Sequence, residues 1–319
     1  MSEFLELIRQ PRLPWRMTHR GGALNTCLLA PLRRSWFRFR LRNTPDQPGV
    51  SVVIPVRNRI DARIRNCLQS LREQDYPAEK IHILIVEYGS DQDADIPYLL
   101  SLCEKYNADC YRTGPQERWN KPHAQNVGLK RVKTDLVMLS DNDQIFSANY
   151  ISAAVRKLVE SPLSVVYAPI LDMPERLKDE LMAEDLDLQV VMPEWKEVCE
   201  PRTHGLCHPG CLMTHTMLIH YIRGLDENIF GWGVQDNDIQ KRLYLLGCKD
   251  LTVAGEAYYL HQWHPKGQSL SSQEVNEYTA VNWAYVQEQN SCRRNPLGWG
   301  GERPMPTRNL YWDLEESHG

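Results

Sequence analysis

No run of about 18 consecutive apolar residues occurs anywhere in the chain, so no membrane-spanning helix is predicted. The opening stretch, MSEFLELIRQPRLPWR, carries acids early and has no apolar core, so no export signal is expected. No internal repeat or low-complexity segment is evident. Nine cysteines show no tight disulfide spacing. An odd count without an export signal reads as reduced thiols in the cytosol. Lysine is absent from residues 1–50. What remains is ordinary: 319 residues, 42% hydrophobic and 24% charged. That composition argues against a disordered or fibrous chain. The length suits one large domain or two ordinary ones, with room for a sizeable core.

Charge is unevenly spread. The net charge is −4, yet residues 1–50 hold nine Arg against three acids, a net of +6 that leaves −10 on the rest. Eight of those arginines lie between Arg12 and Arg42, among Trp15, Trp36, Phe37 and Phe39. One reading is an arm packed on the acidic body or on a sister subunit. The other is an interfacial segment whose arginines meet anionic lipid while its aromatics enter the headgroups. The expected location is therefore cytoplasmic, with peripheral contact at the inner face of the membrane. Nucleic acid is not an expected partner, because the acidic body would oppose it.

Pro45, Pro48 and Gly49 read as a linker after the arm. Residues 50–56, VSVVIPV, predict a strand buried on both faces. Ile60, Ile64, Leu68 and Leu71 predict a helix, 81–86 a strand, and Ile96, Leu99, Leu100 and Cys103 a helix. A weak strand is expected over 109–113, a helix over 124–132 and a strand over 135–139. Val155, Leu158 and Val159 continue the series as a helix, and 164–168 as a strand. Such alternation implies an α/β protein with a mostly parallel sheet and helices on both faces. Ligands of such sheets sit at the carboxyl ends of the strands. Residues 172–200 are acidic and poorly periodic, which predicts a mobile loop or short helices. A second unit, Gly210 to Leu260, contains a helix with Ile239, Leu243 and Leu246 on one face and Gly247 as its C-cap.

The chemistry-bearing residues lie after those strands and in the second unit. Asp141-Asn142-Asp143 places two carboxylates one residue apart at a strand end, which suits a divalent cation and a diphosphate. Alone, the same pattern describes a solvated turn. Asp91, Asp93 and Asp95 imitate a calcium loop, but Ile96 and Leu102 stand where an EF-hand needs Gly and Glu. They read as a solvated helix start. Cys207, His208, Cys211 and His215 raise a zinc alternative, although C-x3-C-x3-H is unlike the usual C-x2-C pairs.

Taken in order, these segments resemble GT-A fold glycosyltransferases, close to the inverting family 2, with one stretch similar to the β-1,4-galactosyltransferases. Pro55-Val56-Arg57-Asn58-Arg59 resembles the first-strand motif that touches the nucleotide. Asn120 to Gly128, NKPHAQNVG, resembles the segment whose basic residue faces the diphosphate. Asp141-Asn142-Asp143 matches the DxD motif, and Gly210-Cys211-Leu212-Met213 a small-residue turn lining the donor sugar. Gly231-Trp232-Gly233-Val234-Gln235-Asp236-Asn237-Asp238 resembles the segment that holds the acceptor and the catalytic base. The resemblance covers about residues 50–265. There are departures. Glu87-Tyr88-Gly89-Ser90 stands where family 2 has Asp-Asp-Gly-Ser, and Val234, Gln235 and Asn237 replace Gly, Glu and Asp. Fewer neighbouring acids should lower the pKa of Asp236.

The resemblance implies a metal-dependent transferase that moves a sugar from a nucleotide-sugar to a glycan, glycolipid or glycoconjugate hydroxyl, with inversion. It implies a UDP-linked donor of galactose or GalNAc type. Donor contacts then fall to Pro55, Arg57, Arg59, Glu87, Lys121, Asp141, Asn142 and Asp143. Mn2+ or Mg2+ would be held by Asp143, with Asp141 on the metal or the ribose and with His261, or else His264, as a further ligand; an imidazole ligand favours Mn2+. Asp236 would be the general base, with helix N-cap as its alternative role. Trp232, Gly233 and Asn237 would meet the acceptor, Trp232 being otherwise a core residue. The expected divisions are a basic arm (1–48), a nucleotide-sugar half (49–170), an acceptor half (171–268) and a C-terminal extension (269–319). The 172–200 stretch would be a lid. Trp299-Gly300-Gly301 and Tyr311-Trp312 would cover the cleft or bind a partner. Two other classes compete. A nucleotidyltransferase would want a Gly-rich loop after the first strand, and PVRNR has no Gly. A non-catalytic sugar-binding or scaffold protein is kept open by Val234, Gln235 and Asn237, and opposed by the intact Asp141, Asp143, Asp236 and His261.

Overall fold

The β-branched run VSVVIPV forms β1 (Val50–Val56), all seven residues buried, as a central strand covered on both faces requires. The computed structural model describes residues 30–91, 93–116, 118–202, 210–229, 231–265, 272–289 and 291–301. Before β1 lies α1 (Ala30–Leu41). After it come α2 (Ala62–Arg72), β2 (Ile81–Glu87), α3 (Ile96–Lys105), β3 (Ala108–Arg112), α4 (Lys121–Leu129), β4 (Leu136–Leu139) and β5 (Gln144–Phe146). Next are α5 (Tyr150–Glu160), β6 (Ser164–Tyr167), β7 (Ile170–Asp172), α6 (Lys178–Met182), α7 (Leu188–Val198), β8 (Glu200–Pro201) and β9 (Leu212–His215). The last described elements are α8 (Thr216–Ile222), α9 (Gln235–Leu246), β10 (Lys249–Thr252), β11 (Tyr259–His261) and α10 (Ser272–Glu288).

Seven strands form the main sheet, in the order β10-β6-β9-β4-β1-β2-β3. Only β9 is antiparallel to its neighbours. The chain winds outward from β1 through β2 to β3, then returns to the other side of β1 as β4. That reversal opens a crevice beyond the ends of β1 and β4. Pro55 fits there for a specific reason. The β1–β4 ladder stops at Val53 opposite Leu139, so the N–H that Pro55 lacks breaks no sheet bond. A second sheet, β5-β11-β7-β8, supplies further residues at the rim.

Alternate residues of β1 feed two apolar layers. Val52 and Ile54 pack with Ile64 and Leu68 of α2, Leu99 of α3 and Val155 of α5. Val53 packs on the other side with Val127 of α4, Ile219 of α8 and Leu243 of α9. α4 comes unusually close to the sheet: a Cβ on Gly128 would lie 2.5 Å from Val53 Cγ1. That contact forbids any larger residue without movement.

Most expected elements are present, with instructive differences. The 124–132 helix begins three residues earlier, at Lys121, because the Asn120 side chain caps it and Pro122 suits the first turn. The weak 109–113 strand is β3, at the sheet edge. Leu212 and Met213 belong to β9 rather than to a turn. Residues 172–200 hold α6 and α7, whose Leu181, Leu188, Met192 and Trp195 share a small core with Leu260 of β11. Strands from both expected halves join one main sheet. Among the described residues, no helix is long and apolar enough to cross a membrane.

Candidate active site

The cation corner is built where β4 turns into β5. Asn142 is buried, and its amide donates to Arg59 O at 2.9 Å, so it fixes the turn. Asp143 is thereby aimed inward and buried. β5 and β11 pair with Gln144 opposite His261, which sets His261 beside Asp143. Ligand atoms of Asp143, His261 and His264 all lie within 4.8 Å of one another. The Nε2 atoms of His261 and His264 are 3.8 and 3.5 Å from Asp143 Oδ2. Among the described residues, the buried Asp143 Oδ1 has no hydrogen-bond partner.

Both imidazoles are oriented from behind. His261 Nδ1 lies 3.0 Å from Asp172 Oδ1, and Arg202 Nε donates to the other oxygen of that carboxylate at 2.8 Å. His264 Nδ1 faces Pro265 O at 3.0 Å. With Nδ1–H donated, a neutral ring has an Nε2 lone pair that a cation beside Asp143 could take, whereas a protonated ring presents Nε2–H to the carboxylate. Arg59 Nη1 also lies 3.4 Å from Asp143 Oδ2. One carboxylate and two imidazoles suit a divalent transition ion. Burial pushes the Asp143 carboxyl up, but the facing His261, His264, Arg59 and Lys121 outweigh it and hold it below the usual carboxylate range. The same contest, won by His261 and Arg202, holds Asp172 low.

The other corner is governed by Lys121. Its Nζ lies 2.6 Å from Asp141 Oδ1. Asp141 is thus committed to Lys121 and does not join the histidine trio. Burial disfavours the Lys121 charge, but Asp141, Asp236 and Asp143 outweigh it and raise the ammonium above its ordinary range. Asp236 sits in the first turn of α9. It is not the N-cap: Val234 holds that place, in the left-handed region at φ 71°. The Asp236 carboxyl is pushed up to about 6 by burial, against the pull of Lys121 and Arg202 and with added repulsion from Asp141. This reverses the lowering expected from its sequence. Counting neighbouring acids along the chain misses both burial and the approach of Asp141. Tyr259, two residues before His261 on β11, is buried, and among the described residues its hydroxyl has no partner. A Cβ on Gly210 would lie 3.5 Å from that hydroxyl, which sets it beside the Gly210 turn.

The acceptor-motif loop is held by the C-terminal extension. A Cβ on Gly231 (φ 60°) would fall 2.7 Å from the Tyr278 ring, and one on Gly233 (φ 83°) 2.8 Å from Thr279 Oγ1. Both side chains belong to α10. Asn282 of the same helix donates to Trp232 O at 3.2 Å. Trp232 itself is 54% exposed and so is not a core residue. Asn237 is half-buried beside Asp236. Asp238 is structural: fully buried, it pairs with Arg242 at 2.7 Å and Arg294 at 3.3 Å. Arg294 also reaches Asp226 at 2.9 Å. Of the tail, Trp299 packs edge-on against His220, and Gly301 O lies 2.9 Å from His123 Nε2. Tyr311 and Trp312 lie outside the described residues.

Just after β1, Arg57 Nη2 donates to Gln116 O at 2.9 Å and pairs with Asp91 at 3.2 Å. Asn58, left-handed at φ 57°, accepts from Asp91 N–H at 2.7 Å. Glu87 is buried and accepts from Ser90 N–H at 2.6 Å while pairing with Arg112 at 3.3 Å, so both its oxygens are engaged. Asp93–Asp95 forms a short helical turn leading into α3, as expected. The zinc alternative finds no support among the described residues. Cys211 Sγ accepts from Tyr150 OH at 3.5 Å, and the metal-capable cluster is Asp143, His261 and His264. Cys207 and His208 lie outside the described residues. Asp172, Arg202, Tyr259 and α10 were not visible as site elements in the sequence; Gly231 and Gly233 were the only local signal of the last.

Comparison with known proteins agrees with this geometry. The sequence profile of glycosyl transferase family 2 matches residues 51–217. A curated relative from Methanococcus voltae, dolichyl N-acetyl-alpha-D-glucosaminyl phosphate 3-beta-D-2,3-diacetamido-2,3-dideoxy-beta-D-glucuronosyltransferase, is 28% identical over 117 residues. That match covers 35% of this chain and 36% of the relative, so only about a third of the relative's length is spanned. The mannosyltransferase PcManGT from Pyrobaculum calidifontis, solved with GDP-Man and Mn2+, superposes with a TM-score of 0.54 at 18% identity, covering 84% of this chain and 75% of that one. TarS 1–349 of S. aureus, solved with UDP-GlcNAc, gives 0.52 at 14% identity, covering 76% and 67%. The structural likenesses establish the GT-A fold. Because the profile takes in just over half of the sequence, including β1, β4 and the Asp141–Asp143 turn, the chain belongs to glycosyl transferase family 2.

Proposed function

We propose that this chain is a divalent-cation-dependent glycosyltransferase that moves a sugar from a UDP-linked donor to a hydroxyl of a glycan, glycolipid or other glycoconjugate, with inversion. One observation carries the reading. Beyond β1 and β4, the trio Asp143, His261 and His264 stands beside the Lys121–Asp141 pair and a carboxyl pushed up to about 6. Family membership supports sugar transfer. The similar structures solved with GDP-Man and Mn2+ and with UDP-GlcNAc support a nucleotide-sugar donor. The Gly231–Asp238 segment favours galactose or GalNAc as the sugar.

Mn2+ or Mg2+ held by Asp143, His261 and His264 would offset the charge of the donor diphosphate. Lys121 adds a fixed positive charge for a phosphate oxygen. Pro55, Arg57, Arg59, Glu87, Asp141 and Asn142 shape the donor wall around it. Asp236 takes the proton of the acceptor hydroxyl as its oxygen bonds to the anomeric carbon. The bond from that carbon to the diphosphate oxygen breaks, and its electron pair leaves with the nucleoside diphosphate. One displacement of this kind inverts the centre. Trp232 offers an exposed ring face for an acceptor sugar, flanked by Gly233 and Asn237. Residues 49–170 serve the donor, 171–268 the acceptor, and the extension braces the acceptor loop.

The relative from Methanococcus voltae is named for a dolichyl-linked compound. With the arginine-rich arm, that supports a lipid-linked acceptor met at the cytoplasmic face of a membrane. Thermal stability against UDP-Gal, UDP-GalNAc, UDP-GlcNAc and GDP-Man, with and without Mn2+, tests the reading. A ligand at 100 times its Kd adds about 2.7 kcal/mol. A shift with one UDP-sugar only when Mn2+ is present is expected. No shift with any nucleotide or metal would transfer the weight to a non-catalytic sugar-binding role.

A further inference from the structure

α1 meets the body along one side only. Phe37 and Leu41 are buried, Phe37 lies edge-on to Tyr221 at 5.1 Å, and Arg33 Nη2 donates to Leu245 O at 3.0 Å. The rest of the helix faces outward. Leu32, Trp36 and Phe39 are 69%, 50% and 56% exposed. Their spacing of four and three residues sets them in one stripe. Exposed Arg38, Arg40 and Arg42 flank it, while Arg34 lies over Gly247 on the body side. The Arg40 guanidinium lies 5.9 Å from the Trp36 ring centre and that of Arg42 4.1 Å from the Phe39 ring centre. The helix sequence, APLRRSWFRFRL, contains no acid.

Two properties decide what covers this face. Three apolar side chains are too few for a stable protein interface, which needs about 800 Å² from each partner. They suffice for shallow insertion, where apolar tips enter the headgroup layer and arginines bind phosphates. The charge is also one-signed, and it complements an anionic lipid surface. We propose that α1 is an interfacial helix that sinks Leu32, Trp36 and Phe39 into an anionic bilayer, with Arg38, Arg40 and Arg42 on lipid phosphates. This rests on the membrane-facing arm described above and is independent of the catalytic reading.

Co-sedimentation of the full chain with phosphatidylcholine vesicles, with and without phosphatidylglycerol, tests it. Binding is expected only to the anionic vesicles, and raised salt should weaken it. Each arginine at such a surface is worth about fivefold in partitioning, so Arg38→Gln with Arg40→Gln should lower binding about 25-fold. Trp36→Ser with Phe39→Ser should lower it further still, without changing the melting temperature, because both side chains are exposed. Both variants should keep parental transfer to a water-soluble acceptor. If transfer is missing from every form, the catalytic reading fails while the vesicle result stands. Equal binding to neutral and anionic vesicles, no binding, or parental binding by the arginine variant would overturn the proposal. So would a dimer in solution that Trp36→Ser dissociates, since a second copy would then own this face.

Discussion

Asp143 and Asp236 stand at one cleft, and their surroundings push them apart. Both are enclosed, and enclosure alone would raise both. At Asp143 two imidazoles, Arg59 and Lys121 reverse the effect and keep the carboxylate charged. At Asp236 the pull of Lys121 and Arg202 is insufficient, and Asp141 adds repulsion, so the carboxyl rises to about 6. A group held ionised suits the holding of a cation. A group poised near neutrality suits the taking of a proton. The supports differ as well. Asp143 is set by strand pairing, through β5 and β11. Asp236 is set by a loop and a helix end that α10 braces through Tyr278, Thr279 and Asn282.

The sharpest way to break this division of labour is Asp236→Asn. Removing a general base costs roughly 10²–10⁴-fold in turnover. Donor binding, measured by calorimetry, should stay within about twofold of the parent. Near-normal turnover would take Asp236 out of the mechanism. Asp172→Asn acts on the other corner. A carboxylate behind a ligating histidine is worth about 10–100-fold in metal affinity, so Mn2+ titration without donor should show a loss of that size. Unchanged affinity would reduce Asp172 to a partner of Arg202. The smallest effect is the one that separates the corners most cleanly. A base works deprotonated, so kcat/KM should be level above about pH 6 and fall tenfold per unit below it. Lys121 draws the Asp236 pKa down, so Lys121→Met should move that acidic limb to higher pH. Activity would then fall several-fold more at about pH 6 than at about pH 8. A limb that stays in place would assign it to another group.

The sequence made the main sheet legible because β1, β2 and β4 are continuous apolar runs, a pattern few other elements share. It did not reveal the small sheet. β5, β7 and β11 have three residues each, too short for a period to register. The same shortness hid part of the site. Asp143 and His261 stood out as polar residues at strand ends. Asp172 did not, since its place comes from β7 lying beside β11, with Asp172 in register with His261. Asp236 was legible as a candidate, but its proton affinity was not, because burial is set by elements distant in sequence. Asp238 looked like the second acid left in the motif. Its complete burial between Arg242 and Arg294 is a tertiary fact.

The length of α9 links two surfaces of the molecule. The helix has 12 residues, about 18 Å from end to end. Asp236 is in its first turn, and its last turn is tied to α1 through the Arg33–Leu245 bond. One stiff element therefore joins the carboxyl pushed up to about 6 to the helix that carries the exposed apolar stripe. Whatever meets that stripe is met one helix length, and no more, from the start of α9.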